Sequence, residues 1–444
     1  MKIPNVCLLL AIFVSLALYV KGGTTGTARI GLQTGKSLID SMKKGSFVKI
    51  VSKIGKVSPY LNAAVSVFKL IFGLTSGSQR ESAEMKYLRN LSYMINTRLD
   101  DVDAQISDMK KLIQWSSVQT PYLSIALKIR AVFHVYQNIF TVPISNIQSQ
   151  KLLFIKNYES DYQNSGYKLF LGFVQDLGPF GGSLLDSAMR FYDNDRPKMR
   201  LLMTAMAKLL FMASQLELGY YSAKRINPTL IEHYRSKWDD QFNQIAHRML
   251  KVDKEVACKW KSQYPHDIDR FVLDNRKFNT SHLSNTLYDK LSTKYFWRDW
   301  LVIVSDHINK HDRSQICGGY AKSMYGKDII VTSVPQNKTY IEESKAEEMA
   351  KSLIQTCLTT SPYGISNYED AQTIYSWFNP SVRNTCTTYT SVGIIYKKKN
   401  VAYSARRRNI TAGDCDLGWC RYPEFERLYV YNIGLCDYRA HFFG

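Results

Sequence analysis

The sequence predicts an α+β protein: an N-terminal all-α helical bundle with long coiled-coil-like helices, followed by a smaller disulfide-braced α+β domain. Three observations carry that reading. Apolar residues recur at three- and four-residue spacing through most of the stretch from residue 36 to residue 258. Beyond it that period weakens, and short β-branched and aromatic runs alternate with turns. Every cysteine except Cys7 lies at Cys258 or later. The implied division is a leader over residues 1–23, a basic amphipathic segment over 24–80, a bundle over 81–260 and a cysteine-containing domain over 261–444.

The leader comes first. Lys2 precedes an apolar run from Val6 to Val20 and then Lys21-Gly22-Gly23, the pattern of a secretory signal peptide, and the run is short for a full bilayer span. Secretion places the remaining cysteines in an oxidising compartment. Cys258, Cys317, Cys357, Cys386, Cys415, Cys420 and Cys436 are therefore disulfide candidates. Seven is odd, so one thiol is free or bridges two chains. The formal net charge of +20 favours an anionic partner. Secretion sets nucleic acid aside and leaves an anionic membrane surface or an extracellular receptor or glycan.

The segment after the leader is two-sided. Phe47, Ile50, Val51 and Ile54 fall at i, i+3, i+4 and i+7, while Lys49, Lys53 and Lys56 take the other side. Beyond Pro59, which ends or kinks the first half, Leu61, Ala64, Val65, Phe68, Ile71 and Phe72 repeat the apolar pattern. Between Lys36 and Phe72 seven lysines stand against one acid, Asp40. Such a helix suits the headgroup region of an anionic bilayer, with Lys43, Lys44, Lys49, Lys53 and Lys56 attracting lipid and Phe47, Ile50, Ile54, Phe68, Ile71 and Phe72 inserting. The same pattern also describes a helix docked on its neighbours with its lysines in water.

The bundle follows. From Glu81 to Ser117 a long helix carries the seam Leu88, Leu91, Ile95, Leu99, Val102, Ile106, Met109 and Ile113, which allows self-association. Pro121 opens the next helix, and another region covers Gln148 to Phe173. Ser183 caps a short helix from Leu184. Lys198 to Tyr221 is apolar nearly all round and reads as a central buried helix. Asn227-Pro228 starts a last one, with Trp238, Phe242, Ile245 and Met249 inward.

In the C-terminal part the runs Trp300–Val304, Ile329–Val334, Tyr389–Tyr396 and Leu428–Ile433 read as strands, and Ile341–Cys357 as a helix. Arg298 and Asp299 form an internal ion pair or a capping group. Lys397, Lys398 and Lys399 and then Arg406, Arg407 and Arg408 form two cationic clusters able to hold sulfate or phosphate oxygens. Asn279, Asn337 and Asn409 begin sequons in surface loops, and a further sequon at Asn90 falls in a helix.

Catalytic patterns are missing. Gly35-Lys36-Ser37 resembles the end of a phosphate loop, but the first glycine of that motif belongs at position 30, which is Ile30. His307 and His311 share helical spacing without the glutamate of a zinc protease. No nucleophile elbow is present. The chain is read as non-enzymatic, with no cofactor and no metal.

Three places resemble the cephalotoxin/rapunzel-like secreted proteins. One is Phe68-Lys-Leu-Ile-Phe-Gly-Leu74 with Ser82-Ala-Glu-Met-Lys-Tyr-Leu88 and the stretch from Asn96-Thr-Arg-Leu-Asp100 to Gln114-Trp115. The others are Gly182-Ser-Leu-Leu-Asp186 and Lys294-Tyr-Phe-Trp-Arg-Asp-Trp-Leu-Val302. Their order, spanning most of the chain beyond the leader, carries the likeness. The resemblance implies a secreted protein, toxic in some lineages and developmental in others, and supplies no catalytic residues. Two functions remain open: a membrane-perturbing toxin, or a binding protein acting on a receptor, channel or sulfated glycan.

Overall fold

The computed structural model describes residues 26–72, 82–100, 116–175, 183–307, 313–316, 319–339, 341–360, 391–396, 400–406, 408–411, 427–433 and 438–444. The chain divides into two compact units, Met1–Cys258 and Lys259–Gly444. The leader and seam residues Val102, Ile106, Met109 and Ile113 lie outside the described residues.

The first unit is helical. Residues 26–44 form α1, followed by α2 (Phe47–Ile54), α3 (Ser58–Phe72), α4 (Ala83–Asp100), α5 (Ser116–Gln137), α6 (Ile147–Asn157), α7 (Ser165–Val174), α8 (Leu184–Phe191), α9 (Arg196–Ala223) and α10 (Pro228–Cys258). Helix α9 is buried along nearly its whole length, as a helix apolar on all sides must be in water. By length and composition alone it also suffices to cross a bilayer, and here it forms the centre of the bundle. Asp195 caps its start, accepting from the Lys198 amide. Asp253 on α10 receives paired hydrogen bonds from Arg196 and Arg200. Burial pushes that carboxyl up, but the two guanidinium groups outweigh it and hold it below the usual range.

Two sequence expectations need correction here. Pro121 lies inside α5, which starts five residues earlier, at Ser116. The helix expected from Gln148 to Phe173 is broken: a π-turn occupies Tyr158–Tyr162, and Gln163 and Asn164 are left-handed. There Tyr158 stacks on both Tyr162 and Tyr220, at 4.5 and 4.1 Å between ring centroids. Aromatic packing thus replaces helical continuity.

The second unit is layered. It begins with α11 (Trp260–Asp274) and α12 (Thr280–Lys294), then β1 (Arg298–Asp306), β2 (Arg313–Ile316), β3 (Tyr320–Met324), β4 (Lys327–Pro335), α13 (Glu343–Thr360), β5 (Ser391–Tyr396), β6 (Val401–Ala405), β7 (Arg408–Thr411), β8 (Leu428–Ile433) and β9 (Tyr438–Phe443). The strands form two antiparallel sheets, ordered β3-β4-β1-β6-β7 and β2-β5-β9-β8. Strand alternation sorts β1 into two cores. Trp300, Val302 and Val304 pack with Leu283, Leu287 and Leu291 of α12, while Leu301 and Ile303 pack with Ile395, Val430 and Phe443 of the other sheet. Arg298 and Asp299 also face opposite ways, which corrects their pairing. Arg298 bonds Ser333 and lies 3.7 Å from the Trp260 ring centroid, and Asp299 pairs with Arg427 at 2.9 Å.

Candidate functional site

The residues singled out for membrane contact lie on α1, α2 and α3. Ser46 starts α2 by accepting from the Lys49 amide. Gly55 ends it in an ordinary right-handed conformation. Pro59, second in α3, occupies a position where a missing N–H costs no helical bond. The expected apolar faces are real, and they point inward. Phe47, Ile50, Val51 and Ile54 are each no more than 6% exposed, and Phe68 and Ile71 are sealed. Phe72 ends α3, and its side chain lies outside the described residues.

Close contacts hold this segment down. Gly31 and Gly35 stand one turn apart on α1 and face α3. A Cβ on Gly31 would lie 2.2 Å from the Pro59 carbonyl oxygen, and one on Gly35 would lie 2.1 Å from the Tyr60 ring. Only glycine permits that approach. Tyr60 in turn packs on Phe211 of α9, and Phe68 on Tyr136 of α5. The Arg200 guanidinium sits over the Phe47 ring at 4.9 Å, a cation–π contact joining α2 to α9.

The polar side faces water. Lys43, Lys44, Lys49 and Lys56 are exposed, and Lys53 is half-buried. Lys53 donates to the Ser37 carbonyl at 2.8 Å and to its hydroxyl at 2.6 Å, tying α2 to α1. Asp40, the one acid in this stretch, is bonded to Arg98 of α4. A groove of about 440 Å³ opens between α1 and α2, lined by Lys36, Lys44, Lys49 and Lys53 among others. Lys36, Ser37 and Ser41 also line this surface, where the sequence offers Lys36 as one of seven lysines and Gly35-Lys36-Ser37 as an incomplete phosphate-loop match.

Lys397, Lys398, Lys399 and Arg407 lie outside the described residues, as does the Arg408 side chain on β7. Arg406 is exposed, with a guanidinium nitrogen 3.7 Å from Asp299. Cys258 is exposed and free. Cys317, Cys386, Cys415, Cys420, Cys436 and the Cys357 side chain are outside the described residues. Asn337 stands in an exposed turn. Asn279 is exposed but is the cap of α12, accepting from the His282 amide, and Asn409 lies in strand β7; neither occupies the expected loop. Among the described residues no cluster of three or more His, Cys, Asp or Glu side chains is placed to hold a metal.

Two buried titratable groups carry no signature in the sequence. Glu217 on α9 accepts from the Trp238 indole at 2.7 Å, and burial raises its pKa. His441 on β9 is fully buried against Gly393, and burial lowers its pKa to about 3.

Residues 78–277 match the family model for the cephalotoxin-like middle helical domain. The match starts just before α4 and ends just beyond α11. No curated protein and no solved structure matches the chain.

Proposed function

For a chain whose residues 78–277 match the cephalotoxin-like middle helical domain, we propose the role of a secreted, non-enzymatic, toxin-like protein that perturbs membranes in two stages. In the first, the closed bundle settles on an anionic surface through the lysines of α1 and α2. In the second, α2 and α3 leave the bundle and their apolar face enters lipid. One observation carries this reading: a cationic outer side and a sealed apolar inner side are built on the same short helices.

The energetics are compatible. Uncovering Phe47, Ile50, Val51 and Ile54 in water costs roughly 1.5–3 kcal/mol each, about 6–12 kcal/mol together. Moving the same side chains directly from core to hydrocarbon avoids most of that cost. Release therefore costs less at a bilayer than in solution, where the buried face keeps the segment docked.

Dye release from anionic and zwitterionic liposomes tests the proposal. Binding that is lost in high salt, with leakage restricted to anionic vesicles, is the expected result. Intact vesicles at every protein dose remove the reading. Aspartate substitutions at Ile50, Ile54 or Phe68 are poor probes, because all three side chains are core and their loss unfolds the bundle.

That same burial favours a second reading, an extracellular binding protein acting on a receptor, channel or sulfated glycan with α1 to α3 permanently docked. Retention on heparin, with liposomes neither bound nor leaking, selects it.

A further inference from the structure

The α1–α2 elbow is a built concavity rather than a patch of lysines. Gly45 makes it possible: its amide donates to the Ser41 carbonyl at 2.6 Å, and a Cβ there would lie 2.6 Å from that oxygen. The tight turn brings Lys36 and Lys44 from one arm against Lys49 and Lys53 from the other, around a groove of about 440 Å³. Ser37 and Ser41 line it as well. Ser41 donates its hydroxyl proton to the Ser37 carbonyl. Ser37 accepts from Lys53 on its own hydroxyl oxygen, which leaves its proton to donate elsewhere.

The charge in this groove is unbalanced. Its one lining carboxylate, Asp40, is already neutralised by Arg98. None of the four lysines is ion-paired to a described carboxylate. Four ammonium groups crowded around one concavity repel each other, and a multiply charged anion relieves that repulsion. Ammonium groups are compact point charges with three donors each. From several directions they suit a tetrahedral oxyanion better than a planar carboxylate, which an arginine fork would hold in two parallel bonds.

We propose that this groove binds a terminal tetrahedral oxyanion, the exposed phosphate monoester or sulfate monoester of a lipid headgroup rather than the bridging phosphodiester that phosphatidylserine and phosphatidylcholine share, so that recruitment selects a headgroup and not merely negative charge. The inference rests on the membrane reading above and names its first ligand.

Two double variants of equal charge test it. Lys44→Gln/Lys49→Gln strips the groove, and Lys43→Gln/Lys56→Gln removes two exposed lysines outside it. Each is assayed by co-sedimentation with phosphatidylcholine vesicles containing phosphatidic acid, sulfatide or phosphatidylserine at matched surface potential. The native protein is expected to prefer phosphatidic acid or sulfatide over phosphatidylserine. The groove pair loses that preference, and the control pair keeps it while binding all anionic vesicles more weakly. Equal affinity of the native protein for all three lipids, or equal loss of preference in both pairs, overturns the proposal. Inorganic phosphate is the soluble probe, read by the melting temperature. If no vesicle binds, and phosphate still raises the Tm of the native protein but not of the groove pair, the membrane reading and the lipid source both fall. The groove would then be a site for a soluble anion.

Discussion

Clamping α2 to α10 separates docking from insertion. A Cβ placed on Gly55 lies 3.8 Å from the Ala246 Cβ, the mean separation across a natural disulfide. Gly55 has ordinary right-handed backbone angles, so cysteine fits there without strain. The double variant Gly55→Cys/Ala246→Cys, with Cys258→Ser to remove the exposed free thiol, fixes α2 on the bundle when oxidised. The bridge closes a loop of about 190 residues, which on chain-entropy grounds stabilises the folded unit by about 5 kcal/mol. That figure concerns unfolding; at a bilayer it is the covalent link itself that keeps the end of α2 on α10. The oxidised protein is expected to bind anionic vesicles as the native chain does, because the lysine side is untouched, and to release no dye. Reductant restores leakage, and native protein treated with the same reductant is the control. Unchanged dye release from the oxidised variant refutes the requirement that α2 leave the core. Loss of vesicle binding as well as leakage refutes the separation of the two stages.

Three further outcomes follow from the packing and the buried charges. Gly31→Ala forces a methyl group against the Pro59 backbone; overpacking of about 1–3 kcal/mol, less about 1 kcal/mol of helix propensity, leaves a loss of about 0–2 kcal/mol. Urea titration reads it, and a gain in stability would contradict the close approach of α1 to α3. His441 is held neutral in the fold with a pKa near 3 but takes up a proton near 6.5 when unfolded. Its contribution is therefore intact above pH 6.5 and is lost as pH falls towards 3, by about 2 kcal/mol at pH 5. His441→Leu flattens that acid limb in denaturant titrations at pH 7 and pH 5, and an unaltered limb shows the imidazole is not its source. Glu217 behaves oppositely: its raised pKa makes the fold retain a proton, so stability is greatest below the ordinary carboxyl range and falls as pH rises through the folded value. Glu217→Gln keeps an acceptor for the Trp238 indole and should melt higher than the native protein at pH 7 but not at pH 4, as scanning calorimetry can show.

What the sequence made legible was mostly periodicity. The apolar faces of α2 and α3, the central helix α9, the cap at Ser183 and the strands β1, β4, β5 and β8 lie where the repeat of apolar residues puts them, because burial in water enforces the repeat. Periodicity gives the direction of a face but not its cover. The seven-residue spacing from Phe47 to Ile54 is the same whether the partner is lipid or α10, and only the burial of those side chains and the Arg200 contact on Phe47 show that the bundle takes it. Pro121 misled for a related reason: proline favours the first turn of a helix, but α5 already begins five residues before it. The groove was hidden because Lys36 and Lys49 are thirteen positions apart and meet only through a turn closed by Gly45. A lone glycine between charged residues has many uses, and nothing in its neighbours along the chain marks this one. The cationic pocket and the sealed apolar face thus depend on the same elbow. Straightening it at Gly45 would scatter the lysines and loosen Phe47 in a single motion. In the proposed mechanism headgroup capture and helix release are coupled through that one turn, and an anion that binds across the elbow would shift the closed–open balance by the difference in its affinity for the two states.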